Sequence, residues 1–215
     1  MAGDRGFIIG VDLDGVVADF YGYIREVAAE WLGVDLSELT TEVSWGMPEW
    51  GLRTDDYRAL HRFAVTQRRL FSAVAPIAGA PQSLRRLSDE DARIRIITHR
   101  LLIPYFHRIA VQQTVEWLDH HAVPYWDLCF MKDKGDVGAD IYIEDSPGNI
   151  AGLRAVGKTA IVFTNSTNRR LPDGDGRANT WDEAERLIRN DYYSWRTERD
   201  LPLPPQPGVS PPPPR

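Results

Sequence analysis

Cys129 is the only cysteine in 215 residues. Its isolation excludes an internal disulfide, disfavours a zinc site and fits a reducing cytoplasm. Set in Leu128-Cys129-Phe130, it reads as a small core residue. Long apolar runs are missing too. No stretch approaches the roughly 20 residues of a membrane span. The opening Met1-Ala2-Gly3-Asp4-Arg5 lacks a signal-peptide pattern, because strand-like sequence begins almost at once. Basic excess is absent: 25 Lys and Arg face 31 Asp and Glu, a net charge of −6. That disfavours a nucleic acid polymer as partner and leaves small phosphorylated ligands open. No internal repeat is present. The expectation is a soluble cytoplasmic chain without a membrane partner; its oligomeric state is not legible in the sequence.

What the chain does contain is organised around Phe7-Ile8-Ile9-Gly10-Val11-Asp12-Leu13-Asp14-Gly15-Val16. The apolar run reads as a buried strand that stops at two aspartates and a glycine. Two carboxylates at a strand end repel each other and need a cation or a shared proton. Such a pair suits a site that recruits a divalent cation and attacks an electron-poor atom. Asp14-Gly15 is also a turn signal, so the pair alone leaves a solvated turn equally open.

Residues 17–31 follow helical spacing through Phe20, Ile24, Val27 and Trp31, and Gly33 ends the run. Residues 34–54 are irregular and aromatic, and a second helix spans about 55–70. Residues 16–77 therefore read as a helical cap inserted after the first strand. Strands follow at 93–98, 128–131, 139–145 and 159–163, with helices at 81–88, 105–121 (Phe106, Ile109 and Trp117 on one face), 148–156 and 181–196. The alternation predicts an α/β fold: a Rossmann-like parallel sheet with helices on both faces. The core is 1–15 with 78–198. The polar segment 165–179 reads as a mobile loop, and the Pro-rich tail 199–215 as disordered or polyproline II.

Polar residues recur at successive strand ends: Asp12 and Asp14, Thr98, Lys134, then Glu144 and Asp145. In a parallel sheet these ends share one edge. A helix cap, a surface lysine and a solvated turn would explain them singly; their recurrence in this order favours one site.

That order resembles the haloacid dehalogenase superfamily of aspartate-nucleophile phosphotransferases, over residues 7 to about 163. A narrower similarity is to the 5′(3′)-deoxyribonucleotidases. It rests on Asp12 through Phe20, Leu70-Phe71 through Pro76-Ile77-Ala78-Gly79-Ala80, Val115 to Leu118, Asp133-Lys134 and Ile143-Glu144-Asp145. The resemblance implies the haloacid dehalogenase fold with a small helical cap. It also implies Mg²⁺ on the Asp12 carboxylate, the Asp14 carbonyl and Asp145. Glu144 stands where an aspartate is usual, which leaves open whether it meets the metal directly or through water. Phe20 falls where relatives place an aromatic against the base, with Trp45 and Trp50 as candidates for the same wall; packing within the cap is the alternative for both tryptophans.

Each role has a physical basis. A phosphate monoester is a dianion that repels a bare carboxylate, and a hard cation cancels that charge. Asp12 can then attack phosphorus to form an aspartyl-phosphate, while a protonated Asp14 serves the leaving alkoxide. Thr98 can donate to a phosphoryl oxygen and Lys134 can neutralise it. His99 stands where relatives often carry serine and is a candidate for the same contact or a solvent-facing loop residue. His61, His107, His120 and His121 receive no role. The leading expectation is an Mg²⁺-dependent phosphatase acting on nucleoside monophosphates, with a sugar or other small phosphate as the alternative. A phospho-receiver domain also carries strand-end acids but lacks a cap of this size, and a binding protein without activity would not need Asp14, Thr98 and Lys134 together.

Overall fold

The computed structural model describes residues 6–101 and 106–204. The end of the Pro-rich tail, 205–215, lies outside the described residues; 201–204 carry no regular structure.

Six strands form one sheet: β1 (Ile8–Val11), β2 (Arg93–Thr98), β3 (Asp127–Phe130), β4 (Ile141–Glu144), β5 (Thr159–Phe163) and β6 (Arg177–Ala178). Their order is β3-β2-β1-β4-β5-β6, and every neighbouring pair is parallel. Seven α-helices accompany them among the described residues: α1 (Phe20–Leu32), α2 (Thr54–Gln67), α3 (Leu70–Ala73), α4 (Ala80–Asp89), α5 (His107–His120), α6 (Pro147–Ala155) and α7 (Trp181–Thr197). This is the doubly wound α/β fold the alternation predicts.

β1 is central and wholly buried, which is why it reads as an unbroken apolar run. Ile9 and Val11 pack on one face with Ile94, Ile96, Ile143 and Ile161, under Leu84 and Leu87 of α4, Trp117 of α5, and Trp181 and Ile188 of α7. The other face carries Ile8, Ile97, Tyr142 and Leu153 of α6. Gly10 belongs to that face, where a Cβ would stand 2.7 Å from the Tyr142 ring. Register aligns Val11 with Ile96 and Ile143, so the residues that follow β1, β2 and β4 meet at one edge.

α1, α2 and α3 build a second apolar cluster, from Phe20, Ile24, Val27, Trp50, Leu60, Ala64, Leu70 and Phe71 with Phe106 and Ala110 beside α5. Gln113 of α5 fastens it, accepting from the Phe71 N–H at 3.2 Å and donating to the Val65 carbonyl at 3.0 Å. The block leaves and rejoins the core through paired backbone, with Asp19 N–H on the Ala75 carbonyl at 2.9 Å and Ile77 N–H on the Val17 carbonyl at 2.8 Å.

Four sequence expectations are corrected. The first helix starts at Phe20 rather than directly after the aspartates. The Leu13 carbonyl accepts the Val17 and Ala18 N–H groups at 2.9 and 2.8 Å, closing a tight loop first, and Asp19 then caps α1. Trp31 and Ile109, assigned to packed faces, are exposed. Segment 165–179 contains β6, too short to show periodicity, and is tied down by Arg177, which donates to the Asn168 and Leu171 carbonyls. Tyr192, Glu90 and the Arg86–Glu185–Arg189 chain of ion pairs then dock α7 against the end of α4.

Trp181 joins this scaffold to the loop after β1: it is fully buried, and its indole N–H donates to the Val16 carbonyl at 2.7 Å. Trp181→Phe keeps one aromatic ring but removes the donor and leaves a cavity, so stability should fall by at least about 1–3 kcal/mol, the cost of an unpaired buried carbonyl alone. Urea unfolding checks it: the midpoint drops at constant slope. An unchanged midpoint would mean that the hydrogen bond contributes nothing.

Candidate active site

Asp12 leaves β1 with its N–H on the Ile143 carbonyl at 3.2 Å, which fixes it between β1 and β4. Lys134 opens the short helical turn after β3, and its buried ammonium bridges Asp12 Oδ1 and Glu144 Oε2, each at 2.6 Å. Glu144 spends its other oxygen on the backbone N–H groups of Asp145 at 3.1 Å and Ser146 at 3.0 Å. Asp145 completes the group: Asp12, Glu144 and Asp145 each place a carboxylate oxygen within 4.8 Å of the others. All are buried.

Three buried carboxylates thus share one ammonium, and the imbalance appears in their proton affinities. Burial, then Glu144, pushes Asp12 up to about 7 against the pull of Lys134. Burial, with Glu144 and Asp12 beside it, also raises Asp145 well above the carboxylate range. Burial opposes ionisation of Glu144 as well, but Lys134 and the Ser146 N–H outweigh it and hold that carboxyl below its ordinary value. Lys134 rises despite burial because Asp12 and Glu144 face it.

Asp145 is positioned by a loop to which the sequence reading gave no role. Asn165 donates to Asp145 Oδ2 at 2.6 Å, and Asn168 donates to the Asp145 and Phe163 carbonyls at 2.8 and 2.7 Å. The Tyr21 hydroxyl adds a contact at 3.3 Å. Gly15 makes room: its φ is +87°, and a Cβ there would land 2.3 Å from Asp145 Oδ2. The glycine of Asp-x-Asp-Gly is therefore required by close approach as well as by the turn.

Asp14 turns the other way. Arg100 grips it in a fork, Nη2 to Oδ1 at 2.6 Å and Nε to Oδ2 at 3.0 Å. The same guanidinium donates to Thr114 Oγ1 of α5 at 3.1 Å and lies 4.3 Å from the centre of the Phe71 ring. Thr98 is fully buried at the end of β2. His99 is half-buried, with Nε2 2.8 Å from the Lys132 carbonyl, and burial lowers its pKa.

A cavity of about 360 Å³ opens over these groups. Asp12, Asp14, Thr98, His99, Arg100, Lys134, Asp145, Ser146 and Asn149 form its floor; Phe20, Tyr21, Trp45, Tyr57, Arg58, His61 and Phe71 form the opposite wall. Of the residues the sequence nominates, Asp12, Asp14, Phe20, Trp45, Thr98, His99, Lys134 and Asp145 meet there. Glu144 lies behind Lys134 and does not line the cavity. Trp50 is not brought to it: it is buried in the helical block, with its indole N–H on the Thr40 carbonyl at 2.9 Å. Trp45 reaches the rim and is exposed. Arg100, Tyr57, His61, Asn149, Asn165 and Asn168 are the residues sequence reasoning missed. Only Arg100 carried a signal, an arginine two positions beyond a buried strand end, where burial demands a carboxylate partner.

Comparison with known proteins agrees with this geometry. The family described as 5′ nucleotidase, deoxy (Pyrimidine), cytosolic type C protein matches residues 6–192. A "Putative 5′(3′)-deoxyribonucleotidase" of Chlorobaculum tepidum is 59% identical over 186 residues, covering 86% of this chain and 91% of that protein. Among solved structures, a haloacid dehalogenase family hydrolase from Deinococcus radiodurans, with bound phosphate and sodium, aligns with a TM-score of 0.57 at 17% identity, over 87% of this chain and 97% of that one. A predicted phosphoglycolate phosphatase from Haemophilus somnus gives 0.56 at 14% identity, over 84% and 97%. These structural likenesses establish the fold. With the match over residues 6–192, the chain belongs to the deoxy (pyrimidine), cytosolic type C 5′ nucleotidase family of phosphatases, built on the haloacid dehalogenase fold.

Proposed function

We propose that the chain hydrolyses deoxynucleoside monophosphates through an aspartyl-phosphate on Asp12, with Mg²⁺ as cofactor. The observation that carries the reading is the cavity itself: one space joins the Asp12, Lys134 and Asp145 floor to the aromatic surfaces of Phe20, Tyr57 and Phe71. A phosphate fits the first and a flat apolar leaving group the second. The name of the 59% identical relative points the same way.

The floor suits a hard divalent cation, because three buried carboxylates exceed one ammonium and offer oxygens within 4.8 Å. Asp12, the Asp14 carbonyl and Asp145 would hold it. Glu144, with both oxygens engaged, serves by holding Lys134. Bound there, Mg²⁺ supplies charge neutralisation between carboxylate and phosphate.

The protein groups divide the rest. Asp12 attacks phosphorus, and the bond to the leaving oxygen breaks. Asp14, protonated, hands that oxygen its proton, then takes one from the water that attacks the aspartyl-phosphate. Arg100 holds both Asp14 oxygens, so one of these contacts must give way for Asp14 to carry the proton. Lys134 and Thr98 face the phosphoryl oxygens, and His99 stands at the same end of the cavity.

Asp12→Asn should lower kcat about a thousandfold or more on every ester, as loss of a nucleophile does. Asp14→Asn should lose more on a nucleotide than on p-nitrophenyl phosphate, whose leaving group needs no proton. Equal losses in the second variant would remove the acid/base role. Activity should vanish on chelation and return with Mg²⁺. In Asn165→Ala the half-activating Mg²⁺ concentration should rise about 10- to 100-fold, because Asp145 loses the donor that aims it; an unchanged Mg²⁺ titration would count against Asp145 as a ligand. Stacking on an aromatic is worth roughly 1–3 kcal/mol. Phe20→Ala should accordingly cut kcat/KM for deoxynucleotides about tenfold or more while affecting small esters less. A wild-type preference for sugar phosphates would overturn the nucleotidase reading.

A further inference from the structure

His61 lies on α2, one turn beyond Tyr57, in the wall that faces the acids. It is 7% exposed, and four aromatic rings surround it: Phe20 at 6.1 Å, Tyr57 at 6.0 Å, Phe71 at 5.8 Å and Phe106 at 6.5 Å between centroids. Its Nδ1 is enclosed and has no hydrogen-bond partner among the described residues. A leucine or phenylalanine would fill the same space without that cost, so an orphan ring nitrogen in an apolar shell calls for an explanation. The ring also lines the cavity, and Nε2 is the nitrogen left for the cavity to reach.

We propose that His61 reads the leaving group, donating a hydrogen bond from Nε2–H to a carbonyl or ring-nitrogen acceptor of the nucleobase. The proposal rests on the nucleotidase reading above and names the group that enforces it. The proton belongs on Nε2 because an enclosed N–H without a partner is costlier than an enclosed lone pair. Burial lowers the His61 pKa to about 4, so at pH 7 the ring is neutral and suits an uncharged acceptor, not the phosphate. The phosphate has its own cation in Lys134, which faces Asp12 and Glu144; the charged groups that face His61 are Asp14 and Arg100. Phe20 and Phe71 offer a base flat surface without direction. His61, with the Tyr57 hydroxyl, is a polar group in that wall, and it can supply the direction. A sugar phosphate that lacks a base would leave this donor unpaired.

The experiment compares kcat/KM on a deoxynucleoside 5′-monophosphate with that on deoxyribose 5-phosphate, which keeps the phosphate and sugar but has no base. The wild-type ratio should favour the nucleotide. In His61→Leu the ratio should fall about tenfold or more, because the base acceptor is desolvated without a donor. His61→Gln, whose side-chain amide can donate from nearly the same place, should recover most of it. The melting temperature of His61→Leu should not fall, since the substitution removes an orphan nitrogen from an apolar shell. A ratio that stays at its wild-type value in His61→Leu, or a Gln variant no better than Leu, overturns the proposal and makes His61 a packing residue, with the nucleotidase reading intact. A wild-type enzyme that prefers deoxyribose 5-phosphate instead removes the nucleotidase reading itself.

Discussion

Lys134 bridges Asp12 and Glu144 at 2.6 Å to each, and the site is arranged around the charge that this one ammonium leaves uncancelled. Burying an ion is expensive, and breaking a buried pair by removing one partner costs about 3–5 kcal/mol. The fold tolerates the group because Asp12 Oδ1, both Glu144 oxygens and Asp145 Oδ2 have partners. Glu144 is closed off by Lys134 and by two backbone N–H groups, Asp145 by Asn165 and Tyr21. What remains is surplus negative charge facing the cavity, with Asp12 pushed up to about 7 by its burial and neighbours. A divalent cation is the complement of that surplus, and a phosphate dianion can approach only once it is cancelled.

Arg100 links this floor to the roof. Its guanidinium holds Asp14 in the core, donates to Thr114 on α5 and lies over Phe71, the residue at which the helical block returns. The same α5 anchors that block through Gln113. The acid/base candidate and the aromatic wall are therefore fixed by one set of contacts, and a shift of the block would be felt at Asp14. The paired backbone of Asp19 with Ala75 and of Ile77 with Val17 confines where such a shift could hinge.

The order Asp12-x-Asp14-Gly15, Thr98, Lys134, Glu144-Asp145 was sufficient to place the edge of the sheet and the floor of the cavity. Each of these residues ends or follows a short strand whose apolar run is visible locally, and parallel pairing carries the strand ends to one edge whatever the loops between them. The sequence by itself therefore determined the α/β class, the helical block after β1 and the identity of the acids and the lysine. It could not determine which aromatic faces the cavity. Trp45 and Trp50 lie five residues apart in an irregular segment without periodicity, and only packing sent one to the rim and the other into the block's core. Nor could it determine partnerships across distance. Arg100 finds Asp14 from 86 positions away, Asn165 finds Asp145 from 20, and His61 becomes a cavity residue because α2 packs against α1, α3 and α5. Local pattern reports burial along one element; hydrogen-bond partners and cavity walls are set between elements, and only the tertiary structure decides those.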